Sequence, residues 1–282
     1  MERRHTDGHE RSLDENIAAI SGAGFDGISA HYTNRHDVVR LNEAIRGSGL
    51  KIEGVCFPHS VEDLRLPLEL AAEFPVSHIN LQPGIRFRLV EDCLPLLDGW
   101  MRLAEDAGIP VFIETHRDRM TTDLFFTLDL LDHRPDLPLL ADLSHFLVGR
   151  EFAVPVDAEN HAMIRRILRN AQAFHGRVAS REQVQIEISF PHHRPWVDLF
   201  LEWWSHGFRN WRSRAADDAE LVFIIGMIEA SKDITLNEMV LRLEEDRSVS
   251  IGRSTLDVWL RKRGFIFKKR PHMHWSRSGQ TS

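Results

Sequence analysis

The chain has 282 residues, 43% of them hydrophobic and 27% charged, with a formal net charge of -7; this is the balance of a globular protein with room for one large core and a small appendage. No apolar run approaches the roughly 20 residues that a membrane span requires, and MERRHTDGHERSLDEN at the start lacks the apolar stretch of a secretory signal, so a cytoplasmic protein with no membrane partner is the expectation. Cys56 and Cys93 are the two cysteines, which excludes a disulfide framework and argues against a thiolate metal site.

In chain order, a helix is expected near 12–21, with no strand before it. Three segments then share one grammar, an amphipathic helix, a glycine stop and a short apolar run: NIAAISGAGFDGISAHY, LNEAIRGSGLKIEGVCF and LLDGWMRLAEDAGIPVFIETH. Gly24, Gly49 and Gly108 stand where helix C-terminal caps belong. Further strands are expected at VSHINLQ (76–82), LPLLADLSH (137–145) and FHGRVAS (174–180), which makes six, spaced as in a parallel α/β sheet. A closed barrel of this type has eight strands. The fold class is therefore α/β, a (β/α) barrel with its first and last strands missing or degenerate. A helix is expected around Val197–Trp204, its Trp203 and Trp204 packing inward, and ELVFIIGMIEA is the short apolar run left where a degenerate last strand would stand.

The expected domains are 1–222 and 223–282, because the charge changes sign between them. From Phe223 onward 11 Lys and Arg face 7 Asp and Glu, and from Ile251 onward 8 basic residues face Asp257 alone. In the last segment Thr235 and Ser254 are good N-cap types, and two helices joined by a short turn near 249–252 read as a small all-α helix-turn-helix with a basic tail. Arg253, Arg261, Lys262, Arg263, Lys268 and Lys269 are its candidate DNA contacts.

Ligands of parallel sheets bind at the C-terminal ends of the strands. The residues closing the expected strands are His31, His59, Gln82, Glu114 with His116, Asp142 with His145, and His175 with Arg177 and Arg181. Each has an ordinary alternative: Asp142 as a helix cap, Glu114 as a partner of Arg117 or Arg119, His175 as a hydrogen-bonded imidazole. Their recurrence at one end of successive strands points instead to a shared polar site. Glu114, Asp142 and His175 form an oxygen-rich, one-imidazole set suited to Mn²⁺, Mg²⁺ or Co²⁺ more than to zinc.

FIETHRDRMTTD, LLADLSHF and FHGRVASREQVQ, with GFDGISAHY and EWW, resemble the sugar phosphate isomerase and epimerase family of xylose isomerase-like barrels over about residues 11–205. The resemblance implies a divalent metal on Glu114, Asp142 and His175, a small sugar or sugar phosphate bound by His145, Arg181 and His59, and Glu114 as the proton-transfer base next to a carbonyl. It also implies a second acid/base Glu at the end of the last strand. No Glu closes LVFIIG, and Glu187 is the nearest substitute, so an impaired site is the expectation. The residues His59, Glu114, Asp142, His145 and His175 also partly match an apurinic endonuclease pattern, without that family's Asp-x-His ligands. The segment DITLNEMVLRLEEDRSVSIGRSTLDVWLRKRGFIFKK resembles the helix-turn-helix of IS630 and Tc1/mariner-type transposases, which leaves a third reading, a DNA-binding protein with the barrel as scaffold.

Overall fold

A computed structural model describes residues 11–230, 234–247, 249, 251–253, 256, 260, 265–268 and 274–277. The chain divides into two compact units, Met1–Trp211 and Arg212–Ser282.

The first unit opens on α1 (Leu13–Gly22), where Ser12 and Glu15 form a reciprocal capping box. Six strands follow: β1 (Gly27–His31), β2 (Lys51–Cys56), β3 (His78–Leu81), β4 (Val111–Glu114), β5 (Leu139–Ala141) and β6 (Ala171–Phe174). They pair in parallel in the order β1-β2-β3-β4-β5-β6. Between them run α2 (Arg35–Ala44), α3 (Arg65–Glu73), α4 (Val90–Ala107), α5 (Leu124–His133), α6 (Leu143–Gly149) and α7 (Ala158–Asn170), and α8 (Arg194–Ala230) follows β6. Consecutive order combined with right-handed crossovers leaves the helices on one face and curls the sheet toward the other, the geometry of a half-barrel. Gly108 caps α4 at φ 65°, a left-handed conformation that glycine adopts without steric cost.

Side chains alternate across each strand, and this parity sorts the residues of the sheet. Ile52, Ile79, Leu81, Val111 and Ile113 are buried in the apolar core with Tyr32, Trp100, Phe146, Phe200 and Trp203. The opposite parity carries Ser29, Glu53, His78, Asn80, Phe112 and Glu114, which contact one another from strand to strand: Ser29 with Glu53, Glu53 with His78, His78 stacked on Phe112 at 4.8 Å, and Asn80 with Glu114. One face of the sheet is apolar and sealed by helices; the other is polar.

Three strands expected from the sequence differ in the folded chain. FHGRVAS is not a strand: β6 is Ala171–Phe174 and follows α7 without a loop, so no glycine or proline marks its start. Residues 143–145 of the expected fifth strand belong to α6, because the Asp142 side chain accepts from the Ser144 N–H and starts a helix there. The run considered for a last strand, ELVFIIGMIEA, lies within α8; among the described residues no strand follows β6 in this sheet. No helix of the described residues is long and apolar enough to cross a membrane.

In the second unit, α9 (Leu236–Arg247) is capped by Thr235, whose hydroxyl accepts from the Glu238 N–H while the Glu238 carboxylate accepts from the Thr235 N–H. Its Leu236, Met239 and Leu243 are buried in a core with Ile224, Met227, Ile234, Leu256 and Leu260. The expected all-α character is corrected by β7 (Phe265–Lys268) and β8 (His274–Arg277), an antiparallel pair. The aromatic and β-branched run FIF favours extended backbone over a helix end. Arg253 is exposed and Lys268 ends β7; Arg261, Lys262, Arg263 and Lys269, like much of the expected second helix, lie outside the described residues.

Candidate metal centre

Glu114 is the last residue of β4, Asp142 directly follows β5, and His175 directly follows β6. The ladder continues past the strands and fixes their mutual height: Thr115 N–H donates to Leu140 O at 3.0 Å, and His175 N–H to Ala141 O at 3.1 Å. Thr115 also joins the two ends through its side chain, its hydroxyl accepting from the Asp142 N–H at 2.8 Å and donating to the Asp142 carbonyl at 3.0 Å.

Glu114 is 1% exposed and held by amides, Oε2 accepting from Asn80 Nδ2 at 2.6 Å and from Gln82 Nε2 at 2.7 Å. Arg119 Nε in turn donates to the Gln82 side-chain oxygen at 3.3 Å. Asp142 is fully buried and divides its two oxygens. Oδ1 accepts from the Ser144 N–H and hydroxyl, while Oδ2 has no hydrogen-bond partner and faces His175 Nδ1 at 3.4 Å, Arg177 Nε at 3.5 Å and His145 Nε2 at 3.6 Å. His175 Nδ1, also buried without a hydrogen-bond partner, lies 3.4 Å from both Asp142 Oδ2 and Glu114 Oε1. One ligand atom from each of Glu114, Asp142 and His175 lies within 4.8 Å of the others. Ligand distances of about 2.0–2.6 Å to a shared ion are compatible with that spacing. The orphaned buried oxygen and nitrogen are the groups an ion would satisfy, so the residues fit a divalent cation.

The electrostatics match this arrangement. Burial alone would raise the Glu114 and Asp142 carboxyls, but the His175 imidazole beside them outweighs it, and both are held below the usual carboxylate range. His175 is pushed up to about 11: burial opposes its charge, and Asp142, Glu114 and Glu53 overcome that opposition. Without an ion, a proton on His175 supplies the positive charge that these carboxylates require.

A second set shares Glu114. Ligand atoms of Glu114, His116 and His145 also lie within 4.8 Å of one another, and the two imidazole rings are 4.1 Å apart between centroids. His116 Nδ1 meets the Arg117 carbonyl oxygen at 2.5 Å, which leaves Nε2 free of that bond. His145 is pushed down to about 4, first by burial and then by the neighbouring His116 and Arg177 charges, against the pull of Asp142. It is therefore neutral near pH 7.

The remaining expected residues lie elsewhere or in different company. Arg181 pairs with Glu182 at 3.3 Å and Glu151 at 3.6 Å; Arg177 is the arginine beside Asp142 and His145. His59 lies in the loop after β2, its ring 2.6 Å from where a Cβ at Gly84 would stand. Glu187 is in an exposed loop, accepting from the Ser189 N–H. Sequence reasoning passed over Glu53, whose Oε1 lies 3.7 Å from His175 Nε2. The available signal was a carboxylate in the interior of the strand KIEGVC.

No protein-family model and no curated protein matches the sequence. Solved structures similar to this chain include a xylose isomerase-like TIM barrel protein from Mycobacterium smegmatis in complex with magnesium, 14% identical, covering 63% of this chain and 72% of that one, with a TM-score of 0.48. A xylose isomerase domain protein from Planctomyces limnophilus is 13% identical, with coverage of 79% and 93% and a TM-score of 0.48. The 3-keto-D-glucoside 4-epimerase of E. coli is 14% identical, with coverage of 71% and 97% and a TM-score of 0.41.

Proposed function

We propose that this chain binds one divalent cation, Mn²⁺, Mg²⁺ or Co²⁺, through Glu114, Asp142 and His175, and that it acts on small hydroxy-ketones of the sugar or sugar phosphate class by moving a proton at the carbon beside a carbonyl. The observation that carries this reading is the convergence of two buried carboxylates and one imidazole at a single sheet end, with Asp142 Oδ2 and His175 Nδ1 left without hydrogen-bond partners. When bound, the ion would supply Lewis-acid stabilisation of the negative charge that develops on the substrate oxygens.

The chain's own residues perform the rest. Asn80 and Gln82 hold Glu114 ionised and in one orientation, so that it keeps an anionic oxygen facing the cluster. The His175 imidazole first, and Asn80 after it, favour the ionised carboxylate and so make Glu114 a weak base. His116, whose Nδ1 meets the Arg117 carbonyl, is the imidazole beside Glu114 placed to accept or return the substrate proton, and His145, buried and neutral, packs close to it as an uncharged polar neighbour. His116 supports proton transfer without the carboxylate expected at the end of a last strand. Arg177 places a positive charge beside Asp142 and His145, suited to a substrate oxygen or phosphate.

The test is calorimetric titration of the full chain with MnCl₂, followed by a proton-exchange assay in deuterated water on a panel of ketose sugars and their phosphates. About one Mn²⁺ per chain is expected, with binding lost in Asp142→Asn and exchange lost in Glu114→Gln. Absence of stoichiometric binding in the natural chain would overturn the proposal.

A further inference from the structure

The polar face of the sheet contains a carboxylate that the proposed site does not use. Glu53 is in the middle of β2, at the parity that faces away from the helices. Its Oε2 is fixed by the Ser29 hydroxyl, which donates at 2.6 Å from the neighbouring strand, where Ser29 and Glu53 are register partners. Its Oε1 is buried and has no hydrogen-bond partner; two imidazole nitrogens face it, His175 Nε2 at 3.7 Å and His78 Nε2 at 3.8 Å. His78 is itself held in place by stacking on Phe112.

The His175 ring therefore stands between two anionic environments. Nδ1 faces Glu114 and Asp142, and Nε2 faces Glu53. Glu53 faces the nitrogen of His175 that points away from Glu114 and Asp142, which places it beside the candidate ligands and not among them. An imidazole that binds a cation through one nitrogen carries its proton on the other, and a carboxylate at that second nitrogen fixes the tautomer, orients the ring and raises its basicity toward the ion.

We infer that Glu53 is the positioning residue for His175, accepting the Nε2–H so that Nδ1 is the nitrogen presented to the cation, with Ser29 holding Glu53 in register for that task. The inference rests on the metal reading above. Geometrically it spans the sheet: a residue of β2 sets the ligand that follows β6.

The probe is Mn²⁺ alone, titrated into the full chain and into Glu53→Ala, Glu53→Gln and His175→Ala variants, with circular dichroism and melting temperature recorded for each. Replacement by Ala is expected to weaken Mn²⁺ binding by about 10- to 100-fold. Replacement by Gln, whose side-chain oxygen still accepts a hydrogen bond, is expected to recover part of that loss, and His175→Ala to abolish binding. A purely structural role would not change the tautomer, so the second readout is the imidazole ¹⁵N spectrum of the Mg²⁺-loaded protein. Its His175 signal is expected to show a protonated Nε2 and a ligated Nδ1 in the natural chain, and to become mixed in Glu53→Ala. Equal Mn²⁺ affinity in the natural chain and Glu53→Ala, with His175→Ala still abolishing binding, would overturn this inference and leave the metal site standing, as would ligation through Nε2. No Mn²⁺ uptake by the natural chain would overturn both.

Discussion

Asp142 shows how one side chain serves two purposes. Its Oδ1 starts α6 by accepting from Ser144, and its Oδ2 faces His175 with no hydrogen-bond partner. Capping leaves Oδ2 uncommitted, so it does not compete with the proposed ligation, because a carboxylate has two oxygens. His175 leads to a prediction about pH. Its imidazole is pushed up to about 11 by the surrounding carboxylates, so at neutral pH the metal-free ring carries a proton that a cation must displace. Mn²⁺ affinity should therefore fall as pH drops through the neutral range, where Mn²⁺ stays in solution and the proton competes with it for His175. Binding near pH 7.5 should release about one proton per ion. Titrations in buffers of different ionisation enthalpy measure that proton directly, and an observed enthalpy independent of buffer would contradict the assignment.

At the scale of elements, the strand ends are joined by side chains as well as by the ladder. Thr115 satisfies both backbone polar groups of Asp142, accepting from its N–H and donating to its carbonyl in a fully buried setting. Thr115→Val keeps the shape and removes both bonds. Leaving buried polar groups unpaired costs roughly 1–3 kcal/mol each, so a lower melting temperature is expected, accompanied by weaker Mn²⁺ binding because Asp142 loses its anchor. Thr115→Ser should restore most of both. A Val variant that melts and binds like the natural chain would show that these bonds are dispensable. The C-terminal end of α4 is similarly specific: at φ 65° a Cβ is strained, so Gly108→Ala is expected to cost about 1–2 kcal/mol in a thermal melt while leaving Mn²⁺ affinity unchanged.

At the scale of the whole molecule, the described residues form two cores with no shared member, one around the parallel sheet and one around α9. Met239 is fully buried in the second, and deleting a buried side chain of that size costs roughly 2–5 kcal/mol. Met239→Ala is therefore expected to destabilise the unit Arg212–Ser282 and leave the Mn²⁺ titration unaltered. Calorimetry of the variant should show one transition shifted and another in place. Loss of Mn²⁺ binding in that variant would mean the two units are energetically coupled.

The sequence alone determined what depends on near neighbours along the chain. Helix-strand alternation is written in local periodicity and caps, so the strands from β1 to β5 were legible, as was the recurrence of Glu114, Asp142 and His175 at strand ends. β6 was misplaced because α7 passes into it without a punctuating residue, and the β7–β8 pair was missed because a hairpin depends on contacts beyond the basic helix pattern that preceded it. Tertiary structure decided the rest. Strand parity places Glu53 on the polar face, but only the register of the sheet and its curl bring β2 close enough to the end of β6 for Glu53 to face His175. In the same way, only folding determined that Arg177 faces Asp142 while Arg181 pairs with Glu151 and Glu182. The two arginines are four positions apart in one loop, and no local preference distinguishes them; the path of the loop after β6 does.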